Sequence, residues 1–299
     1  MKLLVIIVTY NGIKWIDKCL KSVKESTIDS DIIIIDNGST DGTQEYINNY
    51  FPDTIFVQSK ENLGFGKANN IGLQYALDNE YDFVYLLNQD AWVYKNTFEI
   101  LINGFKSNKK FGILSPIQYQ SNGKHLDLSF QKCINSSDIL LSICVNTLLN
   151  NDMSLPIKVN MTMAAHWMIS KECLSIVGGF SPSFPHYGED NNYNDRIRYW
   201  GFNMGIIPAA KAIHDREKRT ESITKIKYMY KMGEIAYLSN PNKRRKPWLL
   251  NFLSNIKFFI SEYHDFAYIL TFFYIINNIN SIIKYKKISK SRCAFLNEK

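Results

Sequence analysis

Leu3 to Thr9 is an unbroken run of apolar and β-branched residues, and such a run predicts a strand covered on both faces, as in a parallel sheet. Residues 14–26 follow with Trp15, Ile16, Cys19, Leu20 and Val23 at helical spacing. "DIIIIDNGSTDGT" predicts a second buried strand that ends at Asp36 in a turn rich in Gly, Ser, Thr and Asp, with a short helix from about Gly42. "TIFVQS" reads as a third strand. "ENLGFGKANNIGLQYALDN" reads as a turn and then a helix through Ala68, Ile71, Tyr75 and Ala76, and "FVYLL" as a fourth strand. This alternation predicts right-handed parallel crossovers and a sheet with helices on both faces. Such sheets bind ligands outside the carboxyl ends of their strands. The polar phrases "TYN", "DNGSTD" and "NQD" all follow strand ends, so they are expected to converge on one crevice.

Beyond residue 112 the pattern loosens. "FGILSPIQYQ" reads as a strand, and residues 125–160 fit no single template. "MAAHWMISKECLSIVGGF" suggests a strand running into a helix that stops near Gly178-Gly179. "GEDNNYNDRIRYWGF" suggests a helix whose acidic first turn suits its positive end. From about Ile223 the chain reads helical, interrupted by "SNPNKRRKPW". The expected division is residues 1–222 as one α/β domain with a regular half, 1–112, and a looser half, 113–222, and residues 223–299 as a basic, aromatic-rich helical extension.

Composition sharpens this picture at the tail. The 299 residues carry a net charge of +7, but residues 218–299 alone hold 16 Lys/Arg against 5 Asp/Glu, so the rest of the chain is acidic. No nucleic-acid partner is expected; only the extension seeks anions. Residues 248–283 are dense in aromatic and aliphatic side chains, yet the purely apolar part, "FAYILTFFYII", is about half the ~20 residues a spanning helix needs. Flanked by "KRRK" at 243–246 and by Lys284, Lys286, Lys287, Lys290 and Arg292, the stretch suits either an anionic membrane surface or packing on the catalytic domain or a second copy of the chain. The five cysteines form no CxxC pair, so neither a zinc site nor a disulfide framework is signalled, and a reducing cytoplasm is expected. The opening "MKLLVIIVTYNG" reads as a first strand rather than a signal peptide.

A dinucleotide dehydrogenase would show GxGxxG after the first strand, and "VTYNGIKW" has none; Gly64-Phe65-Gly66-Lys67-Ala68-Asn69 comes two strands later without its third glycine. No GxxxxGK[ST] loop is present either. In order along the chain, "VIIVTYNG", "IIIIDNGSTDGT", "ENLGFGKANNIG", "LLNQDAWV", "VGGF" and "HYGEDNNYNDRIRYWGF" resemble the family 2 glycosyltransferases of GT-A fold, especially bacterial rhamnosyltransferase-like members. The resemblance spans roughly residues 1–215. It implies an α/β fold with a mostly parallel central sheet and inverting transfer of a sugar from a nucleotide-sugar to an acceptor hydroxyl, usually assisted by Mg²⁺ or Mn²⁺.

The residues fit that chemistry in their own right. Cleaving a sugar–diphosphate bond leaves negative charge on the diphosphate, which a cation held by hard oxygen ligands neutralises; Asp90 is the obvious ligand. The family's usual Asp-x-Asp is Asn88-Gln89-Asp90 here, so its first position brings a hydrogen-bonding amide and no charge. His214, 24 residues after Asp190, matches a histidine that completes the metal shell in many relatives. An attacking hydroxyl needs a base; the resemblance makes Asp190 that base, with Glu189 orienting the acceptor. The nucleotude-binding set expected over the first two strands is Thr9, Asn11, Asp36, whose carboxylate suits a pyrimidine imide N–H, and Asn37. Gly64 and Gly66 would allow close backbone approach, Lys67 would supply charge, and Asn69 and Asn70 stand where many relatives have Arg-Asn.

Each residue has a plainer reading. Asp36 to Ser39 could be only a turn and cap, Asp90 a cap, Glu189 and Asp190 helix-end acids, and His214 a structural imidazole. His166 and Trp167 fit a sugar contact or a packed core equally. The expected donor is a dTDP- or UDP-sugar, with dTDP-rhamnose favoured by resemblance alone, and the acceptor a glycan or lipid-linked glycan of a surface polysaccharide. The rivals are an inactive transferase-like scaffold, suggested by Asn88 and Asn69, and a sugar nucleotidyltransferase.

Overall fold

The computed structural model describes residues 1–135, 137–149, 152–216, 222–243, 253, 256–257 and 267–296. Its first half follows the alternation of the sequence: β1 (Leu3–Thr9), α1 (Ile13–Lys24), β2 (Asp31–Asp36), α2 (Thr43–Tyr50), β3 (Ile55–Gln58), α3 (Gly64–Asp78), β4 (Phe83–Asn88), β5 (Ala91–Val93) and α4 (Thr97–Ser107). The second half adds β6 (Phe111–Tyr119), α5 (Leu128–Ile134), α6 (Ser137–Leu148), β7 (Ile157–Val159), β8 (His166–Ser170), α7 (Lys171–Val177), α8 (Glu189–Tyr199) and β9 (Asn203–His214). Then come α9 (Ile223–Ser239), α10 (Ala267–Asn277) and α11 (Ile279–Ile288).

The described strands form one sheet in the order β3-β2-β1-β4-β8-β6-β9-β5, with β7 also on β9. The β3-β2-β1-β4 portion is parallel; β8 enters antiparallel between β4 and β6. The sheet is therefore parallel where the regular half was expected and mixed beyond it. Period-two alternation divides β1 between two cores. Leu4 and Ile6 pack with Ala68, Leu73 and Ala76 of α3 on one face, while Leu3, Val5 and Ile7 pack with α1, α2 and α4 on the other. Burial of each such Ile or Leu contributes roughly 1.5–3 kcal/mol, so a single-residue slip of β1 would exchange every one of these contacts.

The extension folds back. Phe184 joins Met232, Ile235 and Ala236 of α9, Ile275 of α10 and Ile282 of α11 in a third cluster, so described parts of the extension pack on the loop before α8. Residues 293–296 return to the turn after α7: Cys293 N–H donates to Ile176 O at 2.9 Å and Gly179 N–H to Ala294 O at 2.8 Å. No described helix is long and apolar enough to cross a membrane. Most of the basic 243–246 run and most of the 248–266 stretch lie outside the described residues.

Candidate active site

The carboxyl ends of β1, β2 and β4 are knitted together by their own polar residues. Thr9, fully buried, donates its hydroxyl to Gln89 Oε1 at 2.7 Å; the same oxygen accepts Tyr10 N–H at 2.9 Å, and Gln89 Nε2 donates to Tyr10 O at 3.1 Å. Gln89, which sequence reasoning passed over, thus ties the β1 loop to the β4 loop; its place between Asn88 and Asp90 was the available signal. Asn11, exposed and at φ 48°, accepts Thr40 N–H at 2.9 Å. Asn37 is buried and accepts Leu63 N–H at 3.3 Å.

Asp36 is turned inward. Its two oxygens accept Gly38 N–H (3.1 Å), Ser39 N–H (2.9 Å), the Ser39 hydroxyl (2.5 Å) and Gln44 Nε2 (2.7 Å). A carboxylate has about four acceptor positions, so pairing with a base would require one of these donors to be exchanged.

The α3 residues change meaning. The helix begins at Gly64, directly after a bend in which Asn62 Oδ1 accepts Gly64 N–H at 2.9 Å, and Gly64 sits at φ 76°, where a Cβ would collide with the Pro185 carbonyl; Phe180 Cβ lies 3.1 Å from the same position on Gly66. Close approach of the chain to itself, rather than to a ligand, accounts for both glycines. Asn69 is buried and donates to Phe65 O at 2.9 Å. Asn70 donates to Phe180 O at 2.9 Å and accepts Phe180 N–H at 2.6 Å, which fastens α3 to the turn after α7. In this arrangement both amides serve the scaffold. Lys67 alone of this group is exposed.

Beside this stands a pair of candidate metal ligands. Asp90, 8% exposed, holds Oδ1 3.4 Å from Nε2 of His214, itself 3% exposed. Asn88 Nδ2 lies 3.5 Å from the same Nε2. Register explains the meeting: β5 runs antiparallel to β9 with Ala91 opposite His214, and Asp215 N–H donates to Asp90 O at 2.8 Å. A hard oxygen and an imidazole in contact suit a divalent cation of the Mn²⁺ type. Among the described residues no group of three or more His, Cys, Asp or Glu could hold a metal.

The acid pair opens α8. Asp190 Oδ2 accepts Ala164 N–H at 3.1 Å, and Glu189 is 9% exposed with Oε2 lacking a partner. Burial raises both carboxyls above the ordinary range, Glu189 further because the Asp190 charge adds to it. Ala164 N–H and the Arg216 cation hold Asp190 back. Arg216, also unforeseen, pairs with buried Asp127 at 2.9 Å, and Asp127 accepts Phe130 N–H at 2.8 Å to cap α5. The neighbouring Ala165 carbonyl accepts Asn88 N–H at 3.3 Å, so one short segment carries contacts to both the Asp190 and the Asn88-Gln89-Asp90 sides. His166 and Trp167 belong to the core. His166 bonds the Tyr85 hydroxyl and Ile213 O, each at 2.9 Å, and burial keeps it neutral, its pKa lowered to about 3. Trp167 is fully buried and stacks on Phe180 at 6.3 Å.

Two clefts elsewhere, about 500 Å³ beside α6 at Asn146 and Met153 and about 220 Å³ at Trp92 and Asn122, are lined by none of the candidate catalytic, metal or nucleotide-binding residues. The model of glycosyl transferase family 2 matches residues 4–172, a span that runs from β1 into α7 and includes Asp36 and Asp90. The chain belongs to that family. The match stops before Glu189, Asp190 and His214. Over 211 residues this family 2 chain is 23% identical to dTDP-rhamnosyl transferase RfbF of Shigella flexneri, covering 70% of this chain and 67% of that one. Over 121 residues it is 32% identical to the teichoic acid poly(glycerol phosphate) polymerase of Staphylococcus epidermidis, covering 39% of this chain but only 16% of the polymerase. Among solved structures, S. aureus TarS aligns over 97% of this chain and 55% of its own, at a TM-score of 0.60 and 16% identity. GalNAc-T7 with UDP, GalNAc and Mn²⁺ aligns over 94% of this chain and 57% of its own, at 0.56 and 16%. The fold of this family 2 member is accordingly GT-A.

Proposed function

We propose that this chain is an inverting glycosyltransferase that moves a sugar from a UDP- or dTDP-sugar to a hydroxyl of a surface-polysaccharide acceptor. The observation that carries the reading is the bridge just described: the 164–165 segment accepts from the Asn88 side and donates to Asp190, so the proposed cation-binding edge and a half-buried carboxylate flank one stretch of backbone. The relationship to RfbF favours a dTDP-linked donor such as dTDP-rhamnose; the TarS fragment crystallised with UDP and with UDP-GlcNAc keeps the uridine alternative in view.

In this mechanism Asp90 and His214 would hold Mn²⁺ or Mg²⁺, and the bound cation would offset charge on the departing diphosphate. Asn88 donates a hydrogen bond beside them. Thr9, Asn11, Asn37 and the Asp36 turn form the floor for the nucleoside, with Lys67 supplying positive charge at the start of α3. Asp190 accepts the proton of the acceptor hydroxyl as its oxygen bonds to the anomeric carbon and the carbon–diphosphate bond breaks. A base on the side opposite the leaving group gives in-line attack and inversion. Its raised pKa makes Asp190 a stronger base than a solvated carboxylate while leaving it ionised at neutral pH.

The protein is further proposed to work in the cytoplasm against the inner membrane face. On α10, Leu270, Phe273 and Ile276 are exposed, and Lys284, Lys286, Lys287 and Lys290 follow along and just beyond α11. An apolar face beside ammonium groups suits anionic lipid and a lipid-linked acceptor. Thermal shift with a panel of UDP- and dTDP-sugars, with and without Mn²⁺, tests the donor reading. A rise in Tm for at least one donor, enlarged by Mn²⁺, is expected; no response to any nucleotide would favour the scaffold alternative.

A further inference from the structure

The aromatic residues around the acid pair are arranged in a way the donor chemistry does not require. Tyr187, at φ 63° in the turn before Glu189, faces Tyr228 of α9 with ring centroids 6.3 Å apart. Burial raises the Tyr228 phenol's pKa, and Tyr274 and then Glu189 add to it, which places both groups close to this ring. Lys231, one turn along α9, sits with Nζ 4.9 Å from the Tyr228 centroid and 4.3 Å from that of Tyr274 on α10. A cation shared by two rings holds α9 and α10 in register at this point. Tyr187 and Tyr228 are half-buried at the edge of the Phe184–Met232–Ile235 cluster and Tyr274 is 40% exposed, so the three rings run from that cluster out to the surface.

We propose that Tyr187, Tyr228 and Tyr274 form a stacking platform for a pyranose ring of the acceptor glycan, leading from the extension to the Glu189-Asp190 pair. The inference rests on the transferase reading above and adds to it a subsite and a role for α9 and α10. A pyranose presents a face of C–H groups that packs on an aromatic ring, while its hydroxyls remain free to bond tyrosine hydroxyls at the rim. Open aromatic ground next to a base suits a chain passing through the site, one sugar stacked while the next offers its hydroxyl. The extension then builds part of the acceptor site. An approach along α10 also agrees with an acceptor whose far end is anchored in lipid.

Saturation-transfer NMR on the full chain tests this, with methyl β-D-glucopyranoside, methyl α-L-rhamnopyranoside and methyl N-acetyl-β-D-glucosaminide as probes. At least one glycoside is expected to take up saturation from aromatic protons of the unsubstituted chain. Its signal should fall at least threefold in Tyr228→Ala and in Tyr274→Ala, while Tyr228→Phe keeps most of it. Thermal shift by UDP or dTDP is followed in parallel and is expected to be the same in all of these proteins. No saturation for any glycoside, or equal saturation in the alanine variants, overturns the platform. Loss of the nucleotide response in the unsubstituted chain would instead overturn the transferase reading on which it rests.

Discussion

Oδ2 of Asp190 accepts the backbone N–H of Ala164 at 3.1 Å, across 26 positions of sequence. That bond fixes the orientation of a carboxylate whose burial would otherwise push its proton affinity higher still, and Arg216 acts in the same direction. The consequence is a carboxylate that titrates above the ordinary range, at about 6, as the proposed base role requires. The acid limb of kcat/KM is expected to fall as pH drops through about 6 rather than near 4. Arg216→Gln should move that limb upward, because the cation that favours the ionised form is gone. A limb that stays in place in Arg216→Gln, or that lies near 4 in the parent chain, contradicts this assignment.

Glu189 supplies a prediction about stability. Its folded pKa is raised to about 8, above the unfolded value of 4.5, so the folded state takes up a proton between those limits. Below pH 4.5 the group is neutral in both states and costs nothing. As pH rises toward 8 the folded state is progressively disfavoured. Glu189→Gln should therefore raise Tm at pH 8 by roughly 1–2 °C, on the order of 1 kcal/mol for a chain of this size, and change it little at pH 4. A gain of equal size at both pH values would mean that charge is not the cause.

Much of this was legible in the sequence, and the reasons differ by residue. β1, β2 and β4 are continuous apolar runs buried on both faces, so neither their existence nor the convergence of their polar ends depended on tertiary detail. β9 was not foreseen: "NMGIIPAAKAIH" is diluted by alanines and Pro208, and its pairing with β6 slips register between Pro116 and Ile117. Asn69 and Asn70 looked like ligand contacts because a buried amide and a binding amide have the same letter. What separates them is a partner far along the chain, Phe180 for Asn70, that no local pattern announces. Arg196 gave no warning either, since a basic residue in a charged helix normally reads as a solvated face.

Arg196 is in fact fully buried. Its guanidinium donates to Gly179 O and Val177 O at the end of α7 and lies 4.8 Å from the Phe295 ring. Two carbonyls left unpaired in Arg196→Met should cost on the order of 3 kcal/mol, a fall in Tm of roughly 5 °C. Phe295→Ala should also destabilise, and the double variant should fall short of the sum, because the two groups share one contact. Denaturant unfolding of the four proteins measures this; strict additivity would show that the returning C-terminal segment is not coupled to Arg196.

Gln89 makes three hydrogen bonds across two strand ends, and none of them needs a ligand. Gln89→Leu should loosen the floor of the proposed donor site and weaken UDP or dTDP binding by roughly 5–20-fold, the equivalent of about 1–2 kcal/mol. Calorimetric titration with the nucleotide checks it. Unchanged affinity would mean that the two loops are held by the sheet alone.

The proposed metal ligands can be probed without turnover. Mn²⁺ should strengthen nucleotide binding in the parent chain, and Asp90→Asn should remove most of that gain while leaving metal-free binding intact. His214→Ala should remove part of it. An Asp90→Asn protein whose nucleotide affinity still responds fully to Mn²⁺ would shift the cation to other ligands.

The most direct test is product formation. Once a donor has been found, sugar transfer to the acceptor is measured for the parent chain and for Asp190→Asn under saturating donor and Mn²⁺, with donor affinity measured alongside. The account predicts a fall in kcat of roughly 10²–10⁴-fold with donor affinity unchanged and inverted anomeric configuration in the parent's product. Full activity in Asp190→Asn, or a product of retained configuration, would contradict it.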